Sequence, residues 1–300
     1  MDVLVTGGTG FVGQYLCGEL ADRGHEVTAL ARHPDRADLP DDVATARGDV
    51  TDYDSLVAAF DGQDAVVNLV ALSPLYKPSG GQTHDRVHRG GTENCIRAAE
   101  EQGVERFIQM SALGADPDGP TAYIRAKGAA EELVMASELE WTIFRPSVVF
   151  GEGGEFVGFT KKLKGIFAPG VPLYPLPGGG QTRFQPIHVE DLVPMIADAI
   201  EDDDHAGEIY EIGGPDTLTL AEVARIAFQA EGTSISIVPL PMSLAKVGLT
   251  LAGPMPFIPF GPDQARSLEF DNTTVDNDID AFGVERDDLL TLRAYLGIPE

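Results

Sequence analysis

Positive charge is what this chain has least of. Only 21 lysines and arginines stand against 48 aspartates and glutamates over 300 residues, a formal net charge of −27, and just six of those bases are lysines. A surface of that sign repels nucleic acid and anionic membranes, so no nucleic-acid partner is expected. The acids are spread along the whole length, as in Asp41-Asp42, Asp202-Asp203-Asp204 and Asp276, Asp278 and Asp280, rather than gathered in one tail. Such a spread suits a solvated, halophilic surface adapted to high salt. Cysteine is scarce as well. Cys17 and Cys95 provide no disulfide framework and fit a reducing, cytoplasmic location. No run of about eighteen uninterrupted apolar residues occurs, so no integral membrane segment is expected. The greasiest stretch, Val238–Phe260, has prolines at 239, 241, 254, 256 and 259, which rule out one long helix. Its expected place is the core or lid of a substrate lobe.

What is present starts at the N-terminus. Asp2 to Thr6 is a short β-branched run that predicts a buried strand, and Phe11 to Leu20 continues with helical periodicity. Between them Gly7, Gly10 and Gly13 recur at three-residue spacing, with Thr9, Phe11 and Val12 in the same turn. Strand, glycine turn and helix form the context of a dinucleotide-binding loop. The backbone approaches the pyrophosphate closely, and the helix N-terminus holds its charge. The motif begins at residue 2, so no targeting segment is expected before it.

Strand-like segments at Val27–Ala31, Val43–Arg47, Ala65–Val70, Arg106–Met110 and Trp141–Arg145 alternate with helical patterns at Asp52–Phe60, Thr83–Gln102 and Thr121–Ser137. Alternation of this kind predicts an α/β fold, a Rossmann-type doubly wound parallel sheet. After about Gly151 the texture changes to loops crowded with proline and glycine (Ala168–Gly180). A strand at Gln185–His188 and a helix at Leu192–Ile200, capped by Asp191, are expected next, then a strand at Glu208–Ile212 and a helix at Leu220–Ala230. Residues 1–150 are thus expected to be the cofactor domain. Residues 151–300 are expected to form a smaller C-terminal substrate lobe that partly returns to the main sheet.

Cofactor choice is read at the end of the second strand. In NAD-binding versions of this fold an acid there accepts from the ribose hydroxyls. Here that position is Ala31, followed by Arg32, with Arg36 and His33 nearby. A guanidinium in place of a carboxylate suits a 2′-phosphate, so NADP(H) is expected in preference to NAD(H). Asp49 and Val50 follow the third strand, where an aspartate can accept from the adenine amino group or cap a helix. Val70 and Ala71 end the fourth strand and are expected to border the cofactor.

Tyr123 and Lys127 stand four apart on a predicted helix and so share a face. A cation beside a tyrosine lowers its pKa and makes it a usable acid and base. The same lysine is placed to hold the nicotinamide ribose. His84 and His88 have the same spacing, but no third ligand lies at useful distance in sequence, and no metal is expected.

These motifs, with Arg145-Pro146-Ser-Val-Val-Phe-Gly151, resemble the extended short-chain dehydrogenase/reductases. Within that superfamily the chain is most similar to an atypical group that includes the nucleotide-binding accessory subunit of respiratory complex I and the NmrA-like proteins. Gly178-Gly-Gly-Gln-Thr-Arg183 through His188 and Asp191 is similar to that group's second-half signature. The resemblance implies a helper serine at Ser111, a cofactor contact at Pro146, and substrate-side contacts at Arg183 and His188. It also exposes a departure, because His88 stands where extended members place a proton-relaying asparagine. Two functions are left open. One is an NADP(H)-dependent oxidoreductase, epimerase or dehydratase acting on a small carbonyl or nucleotide-sugar substrate. The other is a non-catalytic NADPH-binding structural or redox-sensing protein, with no substrate and a peripheral association with a respiratory complex.

Overall fold

The computed structural model describes residues 1–241 and 261–299. Strand β1 (Asp2–Thr6) leads through the glycine turn into helix α1 (Phe11–Asp22), followed by β2 (Glu26–Ala31) and β3 (Ala44–Arg47). A short α2 (Val57–Phe60) precedes β4 (Ala65–Asn68). Then come α3 (Gly90–Gln102), β5 (Arg106–Met110), α4 (Ala122–Met135) and β6 (Glu140–Pro146). The remainder forms β7 (Val149–Phe150), α5 (Glu155–Phe167), β8 (Leu173–Pro177), β9 (Arg183–Phe184), β10 (Ile187–His188) and α6 (Val189–Glu201). After these come β11 (Ile209–Ile212), β12 (Leu218–Thr219), α7 (Leu220–Gln229) and β13 (Ser236–Leu240).

Seven strands join in one sheet in the order β11-β6-β5-β4-β1-β2-β3, with β1 to β6 mutually parallel. The chain moves outward from β1 toward β3, then returns to lay β4 on the other side of β1. That reversal opens a crevice beyond the carboxyl ends of β1 and β4, where this class of sheet binds ligands. Val3, Leu4, Val5, Val66 and Val67 are all fully buried, so successive residues of both faces are covered. This is why these strands appear in the sequence as continuous apolar runs.

Two compact units make up the chain. The first comprises Met1–Leu72, Pro78–Pro146 and Val189–Glu211, and the second Ser73–Lys77, Ser147–His188 and Ile212–Glu300. The first holds the whole parallel sheet. The second has its own core, in which Phe150, Phe156, Tyr174 and Leu176 pack with Leu220, Val223 and Ile226 of α7. Thr219 starts α7 with a reciprocal capping box to Glu222. Most of the apolar 238–260 stretch lies outside the described residues, with Val238–Leu240 ending β13.

Four expected elements differ. The strand expected at Gln185–His188 forms only at Ile187–His188, with Arg183–Phe184 a separate short strand before it. Asp52–Phe60 is not one helix: Tyr53–Ser55 makes a tight 3-10 turn, held as the Ser55 hydroxyl donates to the Asp52 carbonyl at 2.7 Å, and only Val57–Phe60 is α-helical. Thr83–Gln102 opens with a π-helical turn at Asp85–Arg89 before α3 begins. Helix α6 begins at Val189, so Asp191 lies inside its first turn, facing the dipole, rather than at the cap.

Candidate active site

The glycine turn is shaped by contacts a side chain would destroy. Gly7 has φ +77°, and a Cβ on Gly13 would lie 2.3 Å from the Gly7 carbonyl oxygen. At the start of α1, Gly10 supplies no side-chain cap, so the first-turn N–H groups stay available to an anion. The residues present therefore fit a dinucleotide pyrophosphate.

A cleft of about 490 Å³ opens here, within the first unit. Gly7, Thr9, Gly10, Phe11, Val12 and Gly13 form its floor. Arg32, His33 and Arg36 line one end, beside Asp49, Val50 and Thr51. Val70 and Ala71 line the other, with Leu72, Gln82 and Val87. Lys127 and Pro146, also expected at the cofactor, are not among its lining residues. Asp49 is already engaged, since its Oδ1 accepts from both the backbone N–H and the hydroxyl of Thr51 at 2.9 Å. That closes a tight turn before the 3-10 segment and leaves Oδ2 uncommitted by these bonds. Sequence reasoning missed Gln82, whose Oε1 is buried with no partner among the described residues. It sits in an irregular loop with no motif to mark it.

The acid–base candidates gather past the ends of β4 and β5. Thr121 caps α4, its side chain accepting from the Ile124 N–H at 3.2 Å, and so sets where the helix places Tyr123 and Lys127. The rings of Tyr123, His84 and His88 form a triangle. His84 and His88 are 5.4 Å apart between centroids, and Tyr123 meets them edge-on at 5.5 and 5.3 Å. The π-helical turn brings both histidines onto this one ring, an irregularity typical of functional sites.

His88 Nε2 accepts from the Leu72 backbone N–H at 3.3 Å, which assigns the ring hydrogen of the neutral form to Nδ1. That Nδ1 is buried with no partner among the described residues. Burial, reinforced by Lys127 and His84, holds His88 well below the ordinary imidazole pKa, so it is neutral at physiological pH. Ser111 is equally buried. Its N–H donates to the Phe144 carbonyl at 2.7 Å, while its hydroxyl has no described partner.

Lys127 is only 1% exposed, and its ammonium donates to the Met110 carbonyl at 2.7 Å. Burial pulls its pKa from the ordinary 10.5 down to about 8, against the opposing charge of Glu131. Glu131 is itself clamped by Arg145 through two hydrogen bonds of 2.9 and 2.5 Å. Burial pushes the Tyr123 phenol upward. This corrects the expectation of a tyrosine acidified by its lysine: desolvation dominates the phenol, and one N–H of the ammonium is given to a carbonyl.

In the second unit, Arg183 is an exposed residue paired with Asp271 at 2.6 Å. His188 is buried against Phe150 and Tyr295, with ring centroids at 5.2 and 5.1 Å. Among the described residues no group of three or more His, Cys, Asp or Glu is placed to hold a metal ion. No described helix is long and apolar enough to cross a membrane.

Comparison with known proteins agrees with this fold. An NAD(P)H-binding family model matches residues 7–165, and the chain belongs to that family. It is 33% identical to the mitochondrial NADH dehydrogenase [ubiquinone] 1 alpha subcomplex subunit 9 of Arabidopsis thaliana, over 91% of this chain and 71% of that protein. It is 30% identical to a 3 beta-hydroxysteroid dehydrogenase/Delta 5-->4-isomerase of Mycobacterium tuberculosis, over 77% of this chain and 69% of that protein. Among solved structures, a nucleoside-diphosphate-sugar epimerase of Staphylococcus aureus shares the fold with a TM-score of 0.75 at 21% identity, covering 99% of both chains. The resemblance to atypical short-chain dehydrogenase/reductases therefore holds, as does the Rossmann-type sheet.

Proposed function

We propose that the chain is an NADP(H)-dependent oxidoreductase or epimerase-like enzyme acting at a carbonyl or hydroxyl carbon of a small molecule, such as a ketone or a nucleotide sugar. The observation that carries this is the joint placement of Tyr123, Lys127, Ser111 and His88 around the ends of β4 and β5, next to a cleft lined at its far end by Arg32 and Arg36. A nicotinamide cofactor held in this cleft would supply hydride transfer to or from the substrate carbon. Tyr123 gives or takes the proton at the substrate oxygen, and the Ser111 hydroxyl donates to that oxygen. Lys127 keeps two further N–H groups for the cofactor ribose and the phenol. The two arginines, in a chain of net charge −27, mark the cleft end suited to a 2′-phosphate. A cytoplasmic protein working in high salt fits the composition.

A second reading keeps the nucleotide and drops the turnover. It is favoured by His88 in the asparagine position, by the lysine held on a carbonyl, and by the likeness to a complex I subunit, which suits a peripheral place on a respiratory complex. NADPH oxidation against a panel of ketones, quinones and sugar nucleotides, with Tyr123→Phe alongside, separates the two. Turnover abolished by that substitution supports the enzyme. Nucleotide retained through purification with no turnover on any substrate supports the binding protein.

A further inference from the structure

Beneath the site runs a buried chain of polar side chains that the proposed chemistry does not use. Thr6, the last residue of β1, donates from its hydroxyl to Asn68 Oδ1 at 2.6 Å. Asn68 Nδ2 donates to Gln109 Oε1 at 2.9 Å and to the Thr92 hydroxyl at 3.1 Å. The Thr92 hydroxyl lies 3.4 Å from Gln109 Oε1 and donates to it. Gln109 Nε2 then donates to the Met110 carbonyl at 3.1 Å, the same oxygen that receives the Lys127 ammonium. Thr6, Asn68, Thr92 and Gln109 are each at most 3% exposed.

Four polar side chains, three at the carboxyl ends of β1, β4 and β5 and one on α3, are costly to bury unless each bond is made, and apolar residues of like size would pack there without that risk. Their bonds also fix their own orientations. Asn68 must present its oxygen to Thr6 and its nitrogen to Gln109, which turns the Gln109 nitrogen toward Met110. The chain therefore ends on one oxygen atom, and that atom is the only protein acceptor of the Lys127 ammonium among the described residues. Its other end is the residue immediately before Gly7.

We propose that Asn68, Thr92 and Gln109 are positioning residues for Lys127, holding the Met110 carbonyl where it receives the ammonium and tying it through Thr6 to the start of the phosphate loop. The functional weight of this arrangement rests on the reading of Lys127 as a cofactor-side group. Glu131 on its own helix and His88 on the π-helical turn are the titratable groups whose charge couples to the ammonium; Glu131 is in turn clamped by Arg145 of β6, and Tyr123 stands four residues earlier on the same helix.

The experiment uses the whole chain with lysine labelled at ¹³Cε, and follows Lys127 through its titration, assigned by its loss in Lys127→Met. NADPH affinity is measured by fluorescence on the same samples. Gln109→Leu and Thr92→Val remove the bonds at similar volume, and Thr92→Ser restores a hydroxyl. With the carbonyl released, the ammonium loses its fixed acceptor. The Lys127 midpoint should fall by about half a unit or more in Gln109→Leu, less in Thr92→Val, and return in Thr92→Ser. NADPH affinity should fall in the same order, about fivefold for Gln109→Leu, the loss of roughly one net hydrogen bond. Folded variants whose midpoint stays at the wild-type value, or rises, overturn the proposal. If either variant fails to fold, the Thr6→Val and Thr6→Ser pair decides by the same midpoint. If the midpoint moves while Lys127→Met leaves NADPH binding unchanged, the positioning stands and the cofactor reading of Lys127 falls.

Discussion

The two ends of the cleft are built on different physics. At one end Arg32 and Arg36, both flanking the tip of β2, present charge to solvent beside an aspartate already engaged in its own turn. Beside the other end, behind the residues that line it, a neutral histidine, a serine and a lysine are sunk in the fold and held by hydrogen bonds to backbone carbonyls and amides. Charge in water acts over a Debye length and fades with salt, whereas desolvated hydrogen bonds are hardly screened. An exposed end suits recognition of a phosphate; a buried end suits proton transfer.

The largest effect expected from this contrast lies at the buried end. Tyr123→Phe should lower turnover by about 10²- to 10⁴-fold with little change in NADPH affinity, measured by steady-state kinetics and fluorescence titration. An unchanged rate removes Tyr123 as the acid. Between the two ends, Gly13→Ala drives a Cβ into the Gly7 carbonyl, 2.3 Å away. It should weaken NADPH and NADH alike by about a hundredfold, because the turn itself must open. At the exposed end, replacing Arg32 and Arg36 together by alanine should weaken NADPH by about tenfold at low salt and leave NADH untouched. Equal losses for both nucleotides would dissolve the contrast between the ends.

Smaller effects come from titration and salt. The Lys127 pKa lies below its ordinary 10.5, at about 8, so between those values the unfolded chain holds a proton that the folded one has shed. Stability from this group therefore rises with pH across that window, and its full cost is felt below pH 8. Lys127→Met should raise the melting temperature by a few degrees at pH 7, and the gain should shrink as pH approaches 10. Melts across a potassium chloride series should show the wild type gaining a few degrees with salt, since 48 acids repel one another over the surface. A melting temperature that is highest without salt would contradict the halophilic reading.

Much of the exposed end was legible in the sequence because its signals are local. Gly7, Gly10 and Gly13 lie within one turn of chain, and Arg32 follows its strand at a countable distance. Twelve expected cofactor positions, from Gly7 to Ala71, line the cleft. The buried end was only half legible. Tyr123 and Lys127 show their shared face through helical spacing, but neither the π-helical turn that closes the His84–His88–Tyr123 triangle nor the turning of Lys127 toward Met110 has a local signature. Gln109 offered one faint signal, an amide within the otherwise apolar Phe107–Met110 run. Its partners Asn68 and Thr92 lie 41 and 17 residues away in sequence, and Thr6 a further 62 before Asn68.

By itself, then, the sequence determined the class of sheet, the glycine turn and the charge at the arginine end of the cleft, because each depends on periodicity, backbone freedom or net charge within a few residues. Only the tertiary structure decided which groups are neutral, which hydrogen-bond partners they have, and that the lysine answers to a carbonyl held by a chain of buried amides. Burial and hydrogen bonding are properties of the neighbours a residue acquires on folding, and those neighbours come from strands and helices far apart along the chain.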